Sequence, residues 1–311
     1  MTRYLIIVNP TADKGRAAHR VPLIHERLKS LRMAYDLVLT ERPGHAVELT
    51  QQAILDGYDV VVAAGGDGTA NEVINGIMRS RQTGKRSIVM GVLPIGRGND
   101  FAFGMDAPTD FEESIRVLAA GKTRPIDIGF IQGGDYPEGR FFGNGVGIGF
   151  DAVVGFVAAR SRLTGFFGYL IAALKTIFIY FQPPTVEITL DDQRICQPSL
   201  MVSIMNGRRM GGGFMMAPKS SPQDGVFDLC IASTVSRLRI LALIPHFIRG
   251  DQEGHPAIQF QRSRRVHVRA VAGSLPAHAD GETICTQAQE LTIELFPAQF
   301  EFIYSPVDGT S

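Results

Sequence analysis

Apolar and polar positions follow two different rhythms along the chain, and the change falls near residue 125. Before it, short β-branched apolar runs at Tyr4–Val8, Tyr35–Thr40, Asp59–Ala64 and Ser87–Leu93 are separated by helical patterns over roughly Arg16–Arg32, His45–Asp56 and Thr69–Ser80. Strands alternating with helices of that length predict βαβ units, a parallel sheet and helices on its faces. After it, "TVEITL", "SLMVSIMNG", "GVFDLCIAS", "RVHVRAVAG" and "ELTIELF" alternate as strands do, which predicts an antiparallel β domain. The expected architecture is α/β + β. An N-terminal three-layer α/β domain with a parallel sheet covers 1–125, and a C-terminal antiparallel β-sandwich-like domain covers 126–311. Its last strand has the option of returning to the first domain.

One block breaks the β rhythm. Arg162–Phe181 reads as a helix, and Leu163–Phe181 carries Lys175 as its only formal charge over 19 residues. That is near the length needed to span a bilayer. Gly165 and Gly168 lie early in it and no comparable segment follows, which favours a buried or lid helix. A helix at the mouth of a lipid pocket that touches a bilayer transiently is the intermediate reading.

Composition narrows the class. An apolar content of 45% and a charged content of 20% describe a soluble globular chain. Lys+Arg and Asp+Glu balance at 31 each, so nothing signals a basic nucleic-acid surface. The seven histidines show no ligand spacing, and no zinc site is expected. Cys196, Cys230 and Cys285 are odd in number and widely spaced, and read as small buried hydrophobes in a reducing cytosol. The opening "MTRYLIIVNP" has too short an apolar run for a signal peptide, so a cytoplasmic location is expected. "QRSRRVHVR" gathers Arg262, Arg264, Arg265 and Arg269 on one strand, either as a solvated face or as a stripe attracted to anionic lipid.

The chemistry concentrates at the carboxyl ends of the predicted strands, where open α/β sheets bind ligands. "NPTADKG", "TERPGH" and "GGDGT" all fall there. In "AAGGDGTANEV", Gly65, Gly66 and Gly68 let backbone N–H groups approach phosphate oxygens, and the following helix adds its own N-terminal N–H groups. Thr69 suits a cap or a phosphate ligand. Asp67 would repel a bare phosphate, so its presence calls for a divalent cation such as Mg²⁺ between them. A tight strand-to-helix turn capped by Asp67 is the structural alternative. The spacing is neither G-x-G-x-x-G nor G-x-x-x-x-G-K-[ST]. Lys14, in its glycine-bearing turn, suits a phosphate partner or a solvated lysine equally.

"GGDGT" after an apolar strand, then "LPIGRGNDFA", "RPIDIG", "GNGVGIGFDA", "SPQDGVFD" and "DGE" in that order, resembles the diacylglycerol kinase catalytic family. The match is to its soluble bacterial lipid kinase branch, relatives of sphingosine kinase, and runs nearly the whole chain. The resemblance implies an ATP-binding first domain, a lipid-binding second domain, and transfer of the γ-phosphoryl group of ATP to a lipid hydroxyl. Diacylglycerol, giving phosphatidic acid, is the expected acceptor. It further implies ATP contacts at Asn9, Lys14, Thr40, Gly65, Gly66, Asp67, Gly68, Thr69 and Asn71. Asp67, Asp100 and Asp127 would surround the transferred phosphate and its Mg²⁺, and Glu282 would be the base. From the residues alone, Asp100 also reads as a helix cap and "HADGET" as a hairpin with Asp-Gly at its tip. Asp224 with the carbonyls of Ser221 and Val226 would hold a remote Mg²⁺, or form an ordinary turn. Arg97 stands where many relatives have threonine, and either grips the triphosphate or crowds the site.

The implied partner is a lipid substrate at a membrane surface, met peripherally at the inner face, with no nucleic acid; a homodimer stays open. Two rivals remain. One is an NAD kinase-like enzyme with a soluble acceptor, since that family shares "GGDGT". The other is a nucleotide-responsive membrane-binding protein without transfer.

Overall fold

The computed structural model describes residues 2–159, 165–180, 183–191 and 193–306. The chain divides into two compact units, Met1–Ile126 with Ala298–Ser311, and Asp127–Pro297.

The first unit runs β1 (Arg3–Val8), a 3₁₀ stretch (Ala12–Arg20), α1 (Val21–Ser30), β2 (Ala34–Leu39), α2 (His45–Leu55), β3 (Val60–Gly65), α3 (Asp67–Gln82), β4 (Val89–Pro94), α4 (Asp100–Gly104) and α5 (Phe111–Ala120). β1 pairs in parallel with β2 and β3, and β3 with β4. β3 is buried along its whole length, as a strand covered on both faces must be. Ile6, Val8, Val62 and Ala64 share one core with Ile24 and Leu28 of α1 and Ile115 and Leu118 of α5. The alternate residues Leu5, Ile7, Val61 and Ala63 are buried on the opposite face, where α2 meets β1 and α3 meets β3. The helix expected over Arg16–Arg32 is two segments. Asp13, Lys14 and Gly15 are left-handed (φ 50°, 56° and 85°), and α1 starts afresh with proline in its first turn. Proline's fixed φ suits that opening. α3 begins at Asp67, two residues ahead of the expected Thr69.

The second unit takes in most of β5 (Thr123–Gly133), then β6 (Tyr136–Phe142), β7 (Gly145–Gly149), α6 (Phe150–Ala159), α7 (Gly165–Lys175), β8 (Thr185–Thr189), β9 (Arg194–Met205), β10 (Phe227–Ser233), α8 (Arg237–Arg249), β11 (Ile258–Ser263), β12 (Arg265–Ala272), β13 (Leu275–Ala279), β14 (Glu282–Ala288) and most of β15 (Glu290–Ile303). Of the block expected over Arg162–Phe181, residues 162–164 and 181 lie outside the described residues. The rest forms α7 and a π-helical turn, Thr176–Tyr180. β9 serves two sheets: its first half pairs with β8, its second half with β7 and β10. Ile188, Val268 and Ile293 from one sheet meet Ile148, Val202 and Leu229 from the other in a single core, the signature of a sandwich. Met201, Met205 and Cys230 form a second core with Val154 of α6, Ala172 of α7 and Leu243 and Phe247 of α8. At Pro297 β15 passes to the first unit; Ala298 is left-handed (φ 50°), and Phe302 pairs in parallel with Met90 of β4.

Three features depart from or refine the sequence expectations. Cys196 is exposed rather than buried, because it falls on the outward alternation of β9's first half; all three cysteines are free thiols. The arginine stripe is bonded at every member: Arg262 to Asp224 and Asp228, Arg264 to the Leu295 carbonyl, Arg265 to Glu294, Arg269 to Glu187. Among the described residues, no helix is long and apolar enough to cross a membrane.

Candidate active site

In the first unit the site grows from loops at the ends of β1, β3 and β4. A Cβ on Gly65 would run into the Thr69 hydroxyl, and one on Gly96 into the Cα of Gly66. Glycine therefore lets the two loops lie backbone against backbone, clipped where Ile95 and Gly96 each donate to the Gly65 carbonyl at 3.0 Å. Asp67 Oδ1 accepts the backbone N–H of Phe101 at 2.9 Å, tying the first turn of α3 to that of α4. A Cβ on Gly98 would stand 2.8 Å from Asp67 Oδ2 and 3.6 Å from Asp100 Oδ2. Two carboxylates thus turn an oxygen toward one glycine, beside a helix N-terminus. Hard oxygen donors of this kind, next to a phosphate cradle, fit Mg²⁺ and a nucleotide.

Asn9 closes the site from β1. Its Nδ2 donates to Thr69 Oγ1 at 3.2 Å, and its Oδ1 accepts from the Thr11 N–H at 3.0 Å and hydroxyl at 2.8 Å. Thr40 follows β2 and donates its N–H to Val8 at 2.9 Å, which puts it beside Asn9. Asn71 is fully buried on α3, where Asn75 donates to its carbonyl at 2.8 Å and to its Oδ1 at 3.2 Å. Arg97 is held rather than loose. Its Nε donates to Asp13 Oδ1 at 2.5 Å, both side chains being 19% exposed, while its buried Nη2 has no partner among the described residues. Asp13 and Lys14 share the left-handed turn, so the arginine is anchored next to the lysine named by the sequence.

In the second unit Asp127 is buried, accepts from the Gly225 N–H at 2.8 Å, and donates its own N–H to Pro222 at 2.8 Å. The turn read as a remote metal site is therefore bonded to Asp127. Asp224 itself caps the Val226 N–H at 3.3 Å and pairs with Arg262. Among the described residues, no three His, Cys, Asp or Glu side chains gather as a metal cluster. Glu282 is exposed and opens β14, after a tip in which Asp280 (φ 49°) and Gly281 (φ 82°) are both left-handed, as an Asp-Gly hairpin requires. The Asp280 carboxylate accepts three successive backbone N–H groups, from Gly143 at 2.8 Å, Asn144 at 2.9 Å and Gly145 at 3.0 Å. Asn206 donates to the carbonyls of Asp127 at 2.9 Å and Gly143 at 2.7 Å. One bonded knot therefore joins Asp127 to the hairpin carrying Glu282.

An apolar cavity of about 70 Å³ lies between α6, α7, α8 and the sheet, lined by residues that include Val154, Tyr169, Met201, Phe214, Leu243 and Phe247. Among the described residues of its wall, Asp151 is the one carboxylate; burial pushes that carboxyl up to about 7. Sequence reading did not single out Asp13, Asn206, Asp280 or Asp151. For Asp151 the available signal was an acid opening an otherwise apolar helix.

Comparison with known proteins agrees with this geometry. The description "Diacylglycerol kinase catalytic domain" matches residues 3–131, and "YegS C-terminal NAD kinase beta sandwich-like domain" matches 144–304. The chain is 30% identical to a diacylglycerol kinase of Bacillus subtilis over 91% of its own length and 90% of the relative's. It is 26% identical to one of Staphylococcus carnosus, covering 90% and 88%. A crystal structure of a diacylglycerol kinase from Bacillus anthracis shares the fold with a TM-score of 0.74 at 21% identity, over 98% of this chain and 97% of that one.

Proposed function

This chain belongs to the diacylglycerol kinase family and is a lipid kinase, and from that premise we propose that it transfers the γ-phosphoryl group of ATP to the free hydroxyl of diacylglycerol. The observation that carries the acceptor class is the apolar cavity of the second unit, lined among the described residues by aromatic and aliphatic side chains with a single carboxylate. A dinucleotide has no use for such a wall, whereas acyl chains do.

The first unit supports the nucleotide half of the reaction. The N–H groups of the glycine turn and of α3's first turn receive the phosphates, with Lys14 and Arg97 as cationic partners. Asp67 and Asp100 would hold Mg²⁺, which when bound neutralises charge on the transferred group. The second unit supports the acceptor half. Glu282 takes the proton of the lipid hydroxyl as its oxygen bonds to the γ-phosphorus and the bond to the β–γ bridging oxygen breaks, leaving ADP. Asp280 positions that glutamate through its three backbone bonds.

Access to a lipid calls for a surface that meets the bilayer. Phe167, Ile171, Leu174 and Phe178, 74%, 37%, 38% and 51% exposed, recur at intervals of four, three and four residues, with exposed Lys175 beside them. An apolar stripe with a flanking cation suits peripheral contact with an anionic leaflet. The test is incubation with γ-labelled ATP, Mg²⁺ and diacylglycerol in mixed micelles, with Glu282→Gln alongside. Labelled phosphatidic acid from the wild type alone supports the reading. Label in a soluble acceptor instead, with none in lipid, overturns it.

A further inference from the structure

Of the helices around the apolar cavity, α8 has the most strongly two-sided surface. Its inner residues Ile240, Leu243 and Phe247, spaced three and four apart, are buried on the cavity wall. The opposite side presents Leu238, Ala242 and Pro245, all exposed. Leu238, at 76%, is the most exposed large apolar side chain among the described residues. Arg237 and Arg239, also exposed, flank it on the helix surface. The π-helical turn that carries exposed Phe178 packs against α8, which brings this face next to the apolar stripe of α7.

Arg237 and Arg239 serve no internal contact. Among the described residues neither makes an ion pair or a side-chain hydrogen bond, whereas the Arg262–Arg269 stripe is bonded at every member. α8 holds no acid along its length, and of its arginines only Arg249 is paired among the described residues, with Asp251. The two unpaired cations sit in the first turn, the positive end of the helix dipole, where acids stabilise and cations do not. In a chain whose charges balance at 31 each, this is a local positive excess placed against the helix's own stability. Cations on both sides of one bare leucine match a surface of phosphates over acyl chains, as an interfacial helix meets it. A cavity that takes acyl chains is filled from a bilayer, and α8 is one of its walls.

We propose that the outward face of α8 binds anionic phospholipid headgroups, so that the lipid product retains the enzyme on the bilayer it has phosphorylated. Arg237 and Arg239 meet the phosphates while Leu238 enters the acyl layer. Diacylglycerol is uncharged, whereas phosphatidate carries a phosphate monoester of about −1.5 to −2 charge. Each turnover therefore adds to the charge that α8 meets, and turnover on a neutral bilayer accelerates as product accumulates. This rests on the reading that the chain phosphorylates a bilayer lipid.

The test is sedimentation with phosphatidylcholine vesicles, plain or holding about 20 mol% phosphatidate, for the wild type, Arg237→Gln with Arg239→Gln, and Leu238→Ser. Thermal unfolding and turnover of a short-chain soluble diacylglycerol, both expected unchanged, show that the variants fold. Removing both arginines should weaken binding to phosphatidate vesicles about thirtyfold, about fivefold for each charge. At about 1 M salt, where charges are screened within about 3 Å, that difference should vanish. Leu238→Ser should weaken binding at either salt concentration by about tenfold. Progress curves on diacylglycerol in phosphatidylcholine vesicles should accelerate for the wild type and stay linear for the double variant. Equal sedimentation of wild type and double variant overturns the proposal, as does wild-type binding that ignores phosphatidate. A dimer in solution that Leu238→Ser splits assigns the face to a second copy and overturns it too. Charge-dependent binding without any labelled lipid keeps the surface and removes the kinase reading. Labelled lipid with unchanged binding in the double variant does the reverse.

Discussion

Asp67 and Phe101, 34 residues apart, are joined by a 2.9 Å bond from the Phe101 N–H to the Asp67 carboxylate. The same side chain turns its other oxygen toward Gly98, where Asp100 also points. Asp67 is thus both a clip between α3 and α4 and part of the acidic pair. Substitutions should separate the two roles. Asp67→Asn keeps an oxygen for the Phe101 N–H, so urea unfolding should shift by less than about 1 kcal/mol while turnover falls by about 10²-fold or more. Asp67→Ala should lose the same activity and about 1–3 kcal/mol of stability besides.

Glu282 is exposed at the start of β14 and, among the described residues, makes no side-chain bond comparable to those of Asp280 beside it. Glu282→Gln should leave thermal stability and ATP binding nearly unchanged and reduce turnover by about 10²–10⁴-fold, the range for a lost general base. Nucleotide calorimetry with the labelled-lipid assay separates these effects. Turnover within a few-fold of wild type would remove the base assignment.

Arg97 is anchored to Asp13 and carries a buried Nη2 with no partner among the described residues. If that group meets the nucleotide, Arg97→Thr should raise KM for ATP about tenfold and leave KM for lipid unchanged, the loss of one charge-assisted bond. Asp13→Asn should give a smaller rise in the same constant, because the guanidinium loses its anchor but keeps its charge. Unchanged KM for ATP in both variants would make the ion pair purely structural.

Asp151 and His278 give opposite pH dependences of stability. The Asp151 carboxyl is raised from 3.8 to about 7, so between those values the folded chain holds a proton that the unfolded chain releases. Its contribution therefore declines as pH rises through that window and stays low above it. His278 is lowered from 6.5 to about 4, so its contribution declines as pH falls through that interval. Asp151→Asn should gain stability relative to wild type as pH goes from 5 to 8, and His278→Gln as pH goes from 7 to 4.5. Urea midpoints across pH read both. Profiles parallel to wild type would show that neither group titrates as its burial dictates.

The exposed stripe on α7 and the π-helical turn after it predicts lipid dependence. Phe167→Ser with Phe178→Ser should weaken sedimentation with anionic vesicles by about tenfold or more, since each buried phenyl contributes about 1.5–3 kcal/mol. Turnover of short-chain soluble diacylglycerol should persist. Equal loss on both substrates would place the effect in folding.

The first unit was largely legible in the chain because its strands are unbroken β-branched runs, and loops at their carboxyl ends announce themselves by glycine. The helix expected over Arg16–Arg32 is 3₁₀ up to Arg20 and α-helical only from Val21, with Pro22 in its first turn. Neither the α8 helix, with Pro245 inside it, nor the short β13 and β14 strands carried a clean period. The site's supporting bonds were illegible for a different reason. Arg97 to Asp13 spans 84 residues and Gly143 to Asp280 spans 137, and no local pattern encodes a contact at such separation. His278 drew no separate reading from the sequence; among the described residues neither of its ring nitrogens has a partner.

The return of β15 to the first unit has a consequence for how the protein is made. Met90 of β4 finds its Phe302 neighbour only after the entire second unit has been translated. At about 5–20 residues per second, β4 waits on the order of ten to forty seconds with one hydrogen-bonding edge open. An open strand edge is a template for pairing with other chains. The vulnerable species in biosynthesis is then a nascent first unit lacking its fifth strand, and it is during that wait, rather than after release, that a chaperone would have most to protect.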